Sequence, residues 1–213
     1  MLVLGIETSC DETSASVLDN GVVRSDVISS QYIHSKYGGV VPELAARAHQ
    51  RMIIEVTEEA LSRAGVSKRN LNGVAATHGP GLVGALLVGL NFAKAFAYGL
   101  NVPFVGVNHM EGHLYSVFLE EPKPRYPFVS LIVSGGHTML VHVKEPSRHT
   151  ILGRTRDDAA GEAFDKVAKM LGLGYPGGPI IDKLAAKGNP EAIGFPRSFL
   201  VRKVDDSRRV GSS

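Results

Sequence analysis

The pair of side chains best placed for chemistry is His109 and His113, in the run Asn108-His109-Met110-Glu111-Gly112-His113. Asn108 follows an apolar strand-like stretch and is a good helix N-cap, so the two imidazoles lie one turn apart on the same helical face. In that position they can share one divalent ion, zinc or iron being the ordinary choices for imidazole. A zinc peptidase needs glutamate directly after the first histidine, and Met110 stands there, which argues against that hydrolytic class. Two polar histidines at a helix start are the plainer alternative, and a tight metal site needs a third protein ligand from elsewhere.

A second group of residues suits a nucleotide. Ser134-Gly135-Gly136-His137-Thr138 puts a glycine pair between two strand-like runs, where the backbone can approach a phosphate or acyl oxygen without a Cβ in the way. The same dipeptide also serves an ordinary type I′ hairpin. His78-Gly79-Pro80-Gly81-Leu82 precedes a helix but lacks the Lys-Ser/Thr ending of a phosphate loop. Asp165 and Asp182 flank the loop Tyr175-Pro176-Gly177-Gly178-Pro179, and carboxylates beside a glycine loop suit ribose hydroxyls. Asp157, Asp158 and Glu162 gather at a helix start, where capping and the helix dipole account for the first two.

The elements that must hold these groups are readable as two similar runs. Leu2–Ile6, Thr13–Leu18 and Val22–Ser29 are predicted strands, with Asn20-Gly21 as a tight turn. Pro42 opens a helix whose apolar residues Leu44, Ala48, Met52, Val56 and Ala60 recur every four positions until Gly65. A strand at Val74–Thr77, a helix at Leu82–Tyr98 and a strand at Pro103–Val107 complete a βββαβαβ order. The second run begins again with strands at Phe128–Val133, Thr138–Val143 and Thr150–Arg154. Helices at Gly161–Leu171 and about Ile180–Lys187 follow. This is an α/β chain with a duplicated plan whose second copy is incomplete. Its hairpin turns are expected to face each other across a cleft. The predicted division is 1–124, carrying the histidines, then 125–200, carrying the glycine loops, and a disordered tail at 201–213.

Composition fits a globular protein: 213 residues, 44% apolar and 21% charged, with a formal net charge of +2 that names no partner. The single Cys10 allows no internal disulfide, and a reducing, cytoplasmic location is expected. The longest apolar stretch, Leu82–Leu90, is broken by Gly84 and Gly89 and falls short of the roughly 20 residues of a membrane span, so no membrane partner is expected.

Six motifs in order resemble one family. They are Gly5-Ile6-Glu7-Thr8-Ser9-Cys10-Asp11-Glu12-Thr13, Gly38-Gly39-Val40-Val41-Pro42-Glu43, Gly79-Pro80-Gly81-Leu82, Asn108 to His113, Ser134 to Thr138, and Gly161-Glu162-Ala163-Phe164-Asp165-Lys166. Together they are similar to the TsaD family of tRNA N6-adenosine threonylcarbamoyltransferases, within the Kae/Qri group, once labelled O-sialoglycoprotein endopeptidases. The resemblance runs from residue 1 to about Leu200. It implies the actin-like ATPase fold of sugar kinases and Hsp70, with duplicated βββαβα units. It also implies an acyl transfer from threonylcarbamoyl-AMP to N6 of adenosine 37 in tRNAs reading ANN codons, giving t6A. His109 and His113 would ligate one divalent metal ion, iron or zinc. Ile132, Val133, Ser134, Gly135 and Gly136 would line the substrate, with Asp165, Gly178 and Asp182 around the nucleoside of threonylcarbamoyl-AMP, ATP or ADP. No catalytic acid or base is assigned by it. The implied partners are tRNA and the TsaB and TsaE subunits, in the cytoplasm. Family members continue past this point through a Ser-Phe-Ser-Gly-Leu-Lys stretch, a nucleotide-contacting Asn and an Asp that completes the metal site. A chain without them is expected to make t6A inefficiently, and a non-catalytic actin-like scaffold or partner subunit of the t6A complex is the alternative.

Overall fold

A computed structural model describes residues 1–31 and 39–195. The expected tail at 201–213 lies outside the described residues. The first half is built on a five-stranded sheet in the order β3-β2-β1-β4-β5, with β1 at Leu2–Glu7, β2 at Glu12–Asp19, β3 at Val22–Ser30, β4 at Gly73–Gly79 and β5 at Phe104–Asn108. β1, β2 and β3 are antiparallel neighbours, and β4 and β5 join in parallel. The β2–β3 turn takes positive φ at both Asn20 and Gly21, the conformation that Asn-Gly favours between twisted strands.

Alternation decides which face is buried. Thr13, Ala15 and Val17 of β2 point inward while Ser14 and Ser16 point to the other face. Helix α1, Pro42–Ala64, packs on β2 and β3, and helix α2, Val83–Leu100, packs on β4 and against α1. Their small and β-branched residues Ala60, Val56, Ala93 and Ala97 close a core with Leu4, Ile6, Val17, Val74 and Ala76. α1 ends where Gly65 takes the left-handed conformation at φ 67°, its N–H bonded to the carbonyl of Ser62. α2 runs two residues beyond the predicted Tyr98, because Asn101 and not a glycine supplies the left-handed cap. By length and composition α2 suffices to cross a membrane, contrary to the reading of Leu82–Leu90 alone. In the fold it lies against the sheet and α1, with Ala85, Leu86, Gly89, Ala93 and Ala97 buried.

After β5 the chain enters a short helix α3, His109–Tyr115, then forms a second sheet in the order β6-β7-β8 from Phe128–Val133, Thr138–Glu145 and Arg148–Arg154, all antiparallel. One face of it, Ile132, Met139, Val141 and Val143, packs on Leu114, Met110 and Tyr115 of α3, so this helix is the wedge between the halves. Helices α4, Ala160–Met170, and α5, Gly177–Ala185, pack on each other. α5 begins about three residues before the predicted start, because the Asp165 carboxylate accepts the N–H of Gly177 at 2.7 Å and anchors the first turn. The order βββαβαβ, then the short α3, then βββα is the duplicated actin-like plan, with α5 added.

Candidate active and metal site

The histidine pair forms as its spacing predicts. Asn108 caps α3, its side-chain oxygen accepting the N–H groups of Met110 and Glu111. His109 and His113 then meet edge to face, with their Nε2 atoms 3.0 Å apart. Two nitrogens held by one ion at about 2.0–2.1 Å each must lie about 3 Å apart, so the pair fits a shared metal. Among the described residues no cluster of three or more His, Cys, Asp or Glu side chains is placed to hold an ion, so the described residues offer two ligands there. Burial, and then the neighbouring His109, push the His113 imidazole below its usual range, which keeps it neutral and able to coordinate.

The first sheet supplies a group that sequence reasoning did not assign. Glu7, at the end of β1, places its Oε2 3.3 Å from Nδ1 of His109. Ser9 Oγ stands 3.2 Å from the same nitrogen. The Glu7 carboxylate also accepts the backbone N–H of Ser9 and the hydroxyl of Thr77 on β4. Burial alone raises a carboxyl, yet the hydrogen bonds from His109, Ser9 and Thr77 outweigh it and hold Glu7 down to about 2. The only hints in the sequence are an acid closing the apolar run Leu2–Ile6 and its place in the first motif. The partner lies 102 positions away, and no local pattern links them. A cleft of about 490 Å³ opens on this group, bounded by Gly5, Glu7, Ala75, Thr77, His109 and His113.

The nucleotide candidates gather in two places. Ser134 and His137 close the β6–β7 turn, with the Ser134 N–H bonded to the His137 carbonyl at 2.8 Å and the His137 N–H to Ser134 Oγ at 3.0 Å. Neither Gly135 nor Gly136 has positive φ, so this is no type I′ turn. A Cβ at either glycine, or at Gly178, would meet nothing, so their small size serves no internal packing. Gly161 behaves differently: its Cβ would strike Gly135, because the start of α4 lies on the turn, its N–H reaching the Ser134 carbonyl at 3.2 Å. Ile132 points into the core, whereas Val133 is exposed. Asp165 spends one oxygen on Gly177, and Asp182 lies within α5. The acids at the α4 start do not cap it: Ala159 is the N-cap and Ala160 donates to Thr138 Oγ1, while Asp158 and Glu162 hold Lys166 at 2.5 and 3.0 Å.

Tyr175 stands in the α4–α5 loop. Burial, then the charges of Asp11 and Asp165, push its phenol up to about 12. The Gly79–Leu82 loop lies against the first hairpin turn, where the Leu82 N–H reaches the Ser9 carbonyl at 2.8 Å and a Cβ on Gly81 would collide with Ser9. That loop therefore braces the first turn. A second cavity, about 420 Å³, lies between α3 and β6–β8, lined by Met110, Glu111, Ile132, His137, Met139 and Arg154 among others.

A hexokinase of the ROK class from Thermus thermophilus shares the fold with a TM-score of 0.50 at 18% identity, over 89% of this chain and 71% of that one. The tRNA N6-adenosine threonylcarbamoyltransferase of Salinibacter ruber is 62% identical over 201 residues, and that of Desulforapulum autotrophicum 59% identical over 202 residues. Both matches cover 94% of this chain, which spans 60–61% of the length of those relatives. The family model described as TsaD, tRNA N6-adenosine threonylcarbamoyltransferase, matches residues 22–210, and with relatives this similar the chain belongs to that family.

Proposed function

We propose that this chain serves threonylcarbamoyl transfer from threonylcarbamoyl-AMP to N6 of adenosine 37 in tRNA. The observation that carries the reading is the His109–His113 pair, its Nε2 atoms 3.0 Å apart, opening on the cleft beside the first hairpin turn. In the reaction the N6 amine attacks the carbamoyl carbon, the bond from that carbon to the phosphate oxygen breaks, AMP departs, and the N6 proton passes to solvent or phosphate. A divalent ion, iron or zinc, supplies charge neutralisation for the phosphate or polarises the carbonyl when bound.

The protein's own groups chiefly position and screen charge. His109 and His113 would hold the ion, each through a ring nitrogen. Backbone at Ser134, Gly135, Gly136 and Gly178 approaches the adenylate closely, since those glycines have open space where a Cβ would stand. Asp182 and the second oxygen of Asp165 take the ribose hydroxyls, the first oxygen being held by Gly177. Ile132 contributes backbone only, its side chain lying in the core with Met139. The cleft beside the histidine pair is lined by residues of the first segment, 1–124, while the glycine loops belong to the segment after it; the TsaB and TsaE subunits are the cytoplasmic partners.

The test supplies the chain with tRNA, threonylcarbamoyl-AMP and both partner subunits, and measures t6A by mass spectrometry. Product should form more slowly than with a full-length relative and disappear in the His109→Ala, His113→Ala double variant. Product that survives in that variant overturns the assignment.

A further inference from the structure

His109 can reach an ion through Nε2 only if its other nitrogen carries the proton. A neutral imidazole has two tautomers of similar intrinsic stability, and the hydrogen bond at one nitrogen decides which is present. Here Nδ1 has two neighbours, the Ser9 hydroxyl at 3.2 Å, which can donate or accept, and an acid from the end of β1, which can only accept. Glu7 Oε2 faces Nδ1 of His109 at 3.3 Å, and a carboxylate accepts hydrogen bonds without donating any. The carboxylate is itself fixed from two sides. Its Oε1 accepts the Ser9 N–H, and its Oε2 accepts the Thr77 hydroxyl, so β1, the first turn and β4 all hold it in place. Nε2 then points away from the sheet, toward His113.

We propose that Glu7 is the positioning residue of the histidine pair, holding His109 in its Nδ1–H tautomer so that the Nε2 lone pair faces the position shared with His113. This deepens the metal reading above and rests on it for its purpose, but the tautomer exists without the metal. Thr77 supports the same arrangement by fixing the carboxylate that receives the proton. A histidine ligand whose second nitrogen donates to a carboxylate is both oriented and made more basic, and loss of such a partner weakens metal binding about 10–100-fold.

The experiment measures two things on the metal-free and metal-titrated chain. Long-range nitrogen–proton NMR at neutral pH reads the tautomer of each histidine, with the buried His49, hydrogen-bonded to Thr13 and the Cys10 carbonyl, as the internal check that the fold is intact. Cobalt(II) titration followed by its visible spectrum reads affinity. In the wild-type chain His109 should carry its proton on Nδ1. In Glu7→Leu, with His49 unchanged, the Nε2–H form should become substantially populated and cobalt should bind at least tenfold more weakly. Thr77→Val, which keeps the carboxylate but frees one of its bonds, should produce a smaller change in the same direction. If Glu7→Leu folds and His109 keeps the wild-type tautomer, the proposal is wrong, whatever the cobalt does. If the tautomer shifts as expected but neither chain binds cobalt, Glu7 has the positioning role and the metal reading fails instead. Should Glu7→Leu not fold, the Thr77→Val tautomer decides: an unchanged distribution overturns the proposal.

Discussion

The two halves start from the same three-stranded plan and are finished differently. In the first, β1 continues sideways into β4 and β5, and α1 and α2 cover one face, so Leu4 and Val17 are wholly buried. In the second, among the described residues, β6 has only β7 as a neighbour, α3 covers one face, and the other leaves Leu131 64% and Val133 55% exposed. The first half is thus a rigid platform with a deep core. The second is a thin sheet whose stability depends on the wedge helix that also carries the histidines. Positioning follows the same division: Glu7, which faces His109, and Thr77, which bonds Glu7, come from the platform, while the glycine loops come from the thinner part.

The largest test of this difference is Leu4→Ala. Removing a fully buried leucine from the platform should cost about 3–4 kcal/mol in urea unfolding, by loss of transfer energy plus the cavity left behind. A cost below about 1 kcal/mol would mean that the platform core is far looser than its burial indicates.

The corner around the first hairpin turn is tested by Cys10. Its thiol is open to solvent on one side, yet desolvation and then the adjacent Asp11 raise it to about 12 from the usual 9.0. The neutral thiol is therefore favoured: any stability it contributes is fully present below pH 9 and is lost as pH rises toward 12. At pH 8 the thiolate is about a thousandfold scarcer than in a free cysteine, partly offset by greater nucleophilicity at higher pKa, so iodoacetamide should react some tens of times more slowly. Asp11→Asn should speed the reaction. Alkylation at the rate of an unstructured peptide would contradict the packing of this corner.

A matched pair sharpens the comparison further. Val17 and Val143 are both fully buried, each on the central strand of the β1–β2–β3 or β6–β7–β8 unit. Truncation to alanine removes about 1.6 kcal/mol of transfer energy in either place. The cavity cost should be larger at Val17, where neighbours on both α1 and the sheet resist collapse, giving a difference of about 1 kcal/mol. Equal losses would show that the two cores are equally rigid.

The smallest effect on stability is expected at the open glycines. Gly178→Ala and Gly136→Ala should shift unfolding by less than about 0.5 kcal/mol, because a Cβ there meets nothing. Both should weaken AMP binding at least tenfold in calorimetry. Gly177→Ala is the control with the opposite profile: its Cβ would lie 2.6 Å from the Phe164 carbonyl and should cost about 1–3 kcal/mol by overpacking α4 against α5.

Local signals carried the sequence reading well where the structure is local. Asn20-Gly21, the every-fourth-residue stripe of α1, Gly65 and the Asn108 cap all act within a few residues, and each element forms where its residues predict. The structure departs from the local pattern where a group further along the chain decides, as at α5, which starts early because Asp165 reaches Gly177; at α2 the signal is local but less common, an asparagine and not a glycine taking the left-handed cap. Gly135 and Gly136 look like a type I′ turn but take other angles, their turn being closed by Ser134 and His137 and lying against Gly161. Glu7 was the most consequential omission. Its role arises only when the parallel pairing of β1, β4 and β5 carries the ends of three strands to one edge, a consequence of topology.

The most direct test of the central claim joins this segment to a complete relative. Residues 1–195 would replace the corresponding segment of the Salinibacter ruber enzyme, to which this chain is 62% identical, in cells whose t6A depends on the joined protein. The expected result is t6A in tRNA with the joined protein, and its loss on adding His109→Ala and His113→Ala while the protein remains soluble at normal abundance. Undiminished t6A in that double variant would show that the histidine pair is not part of the working site.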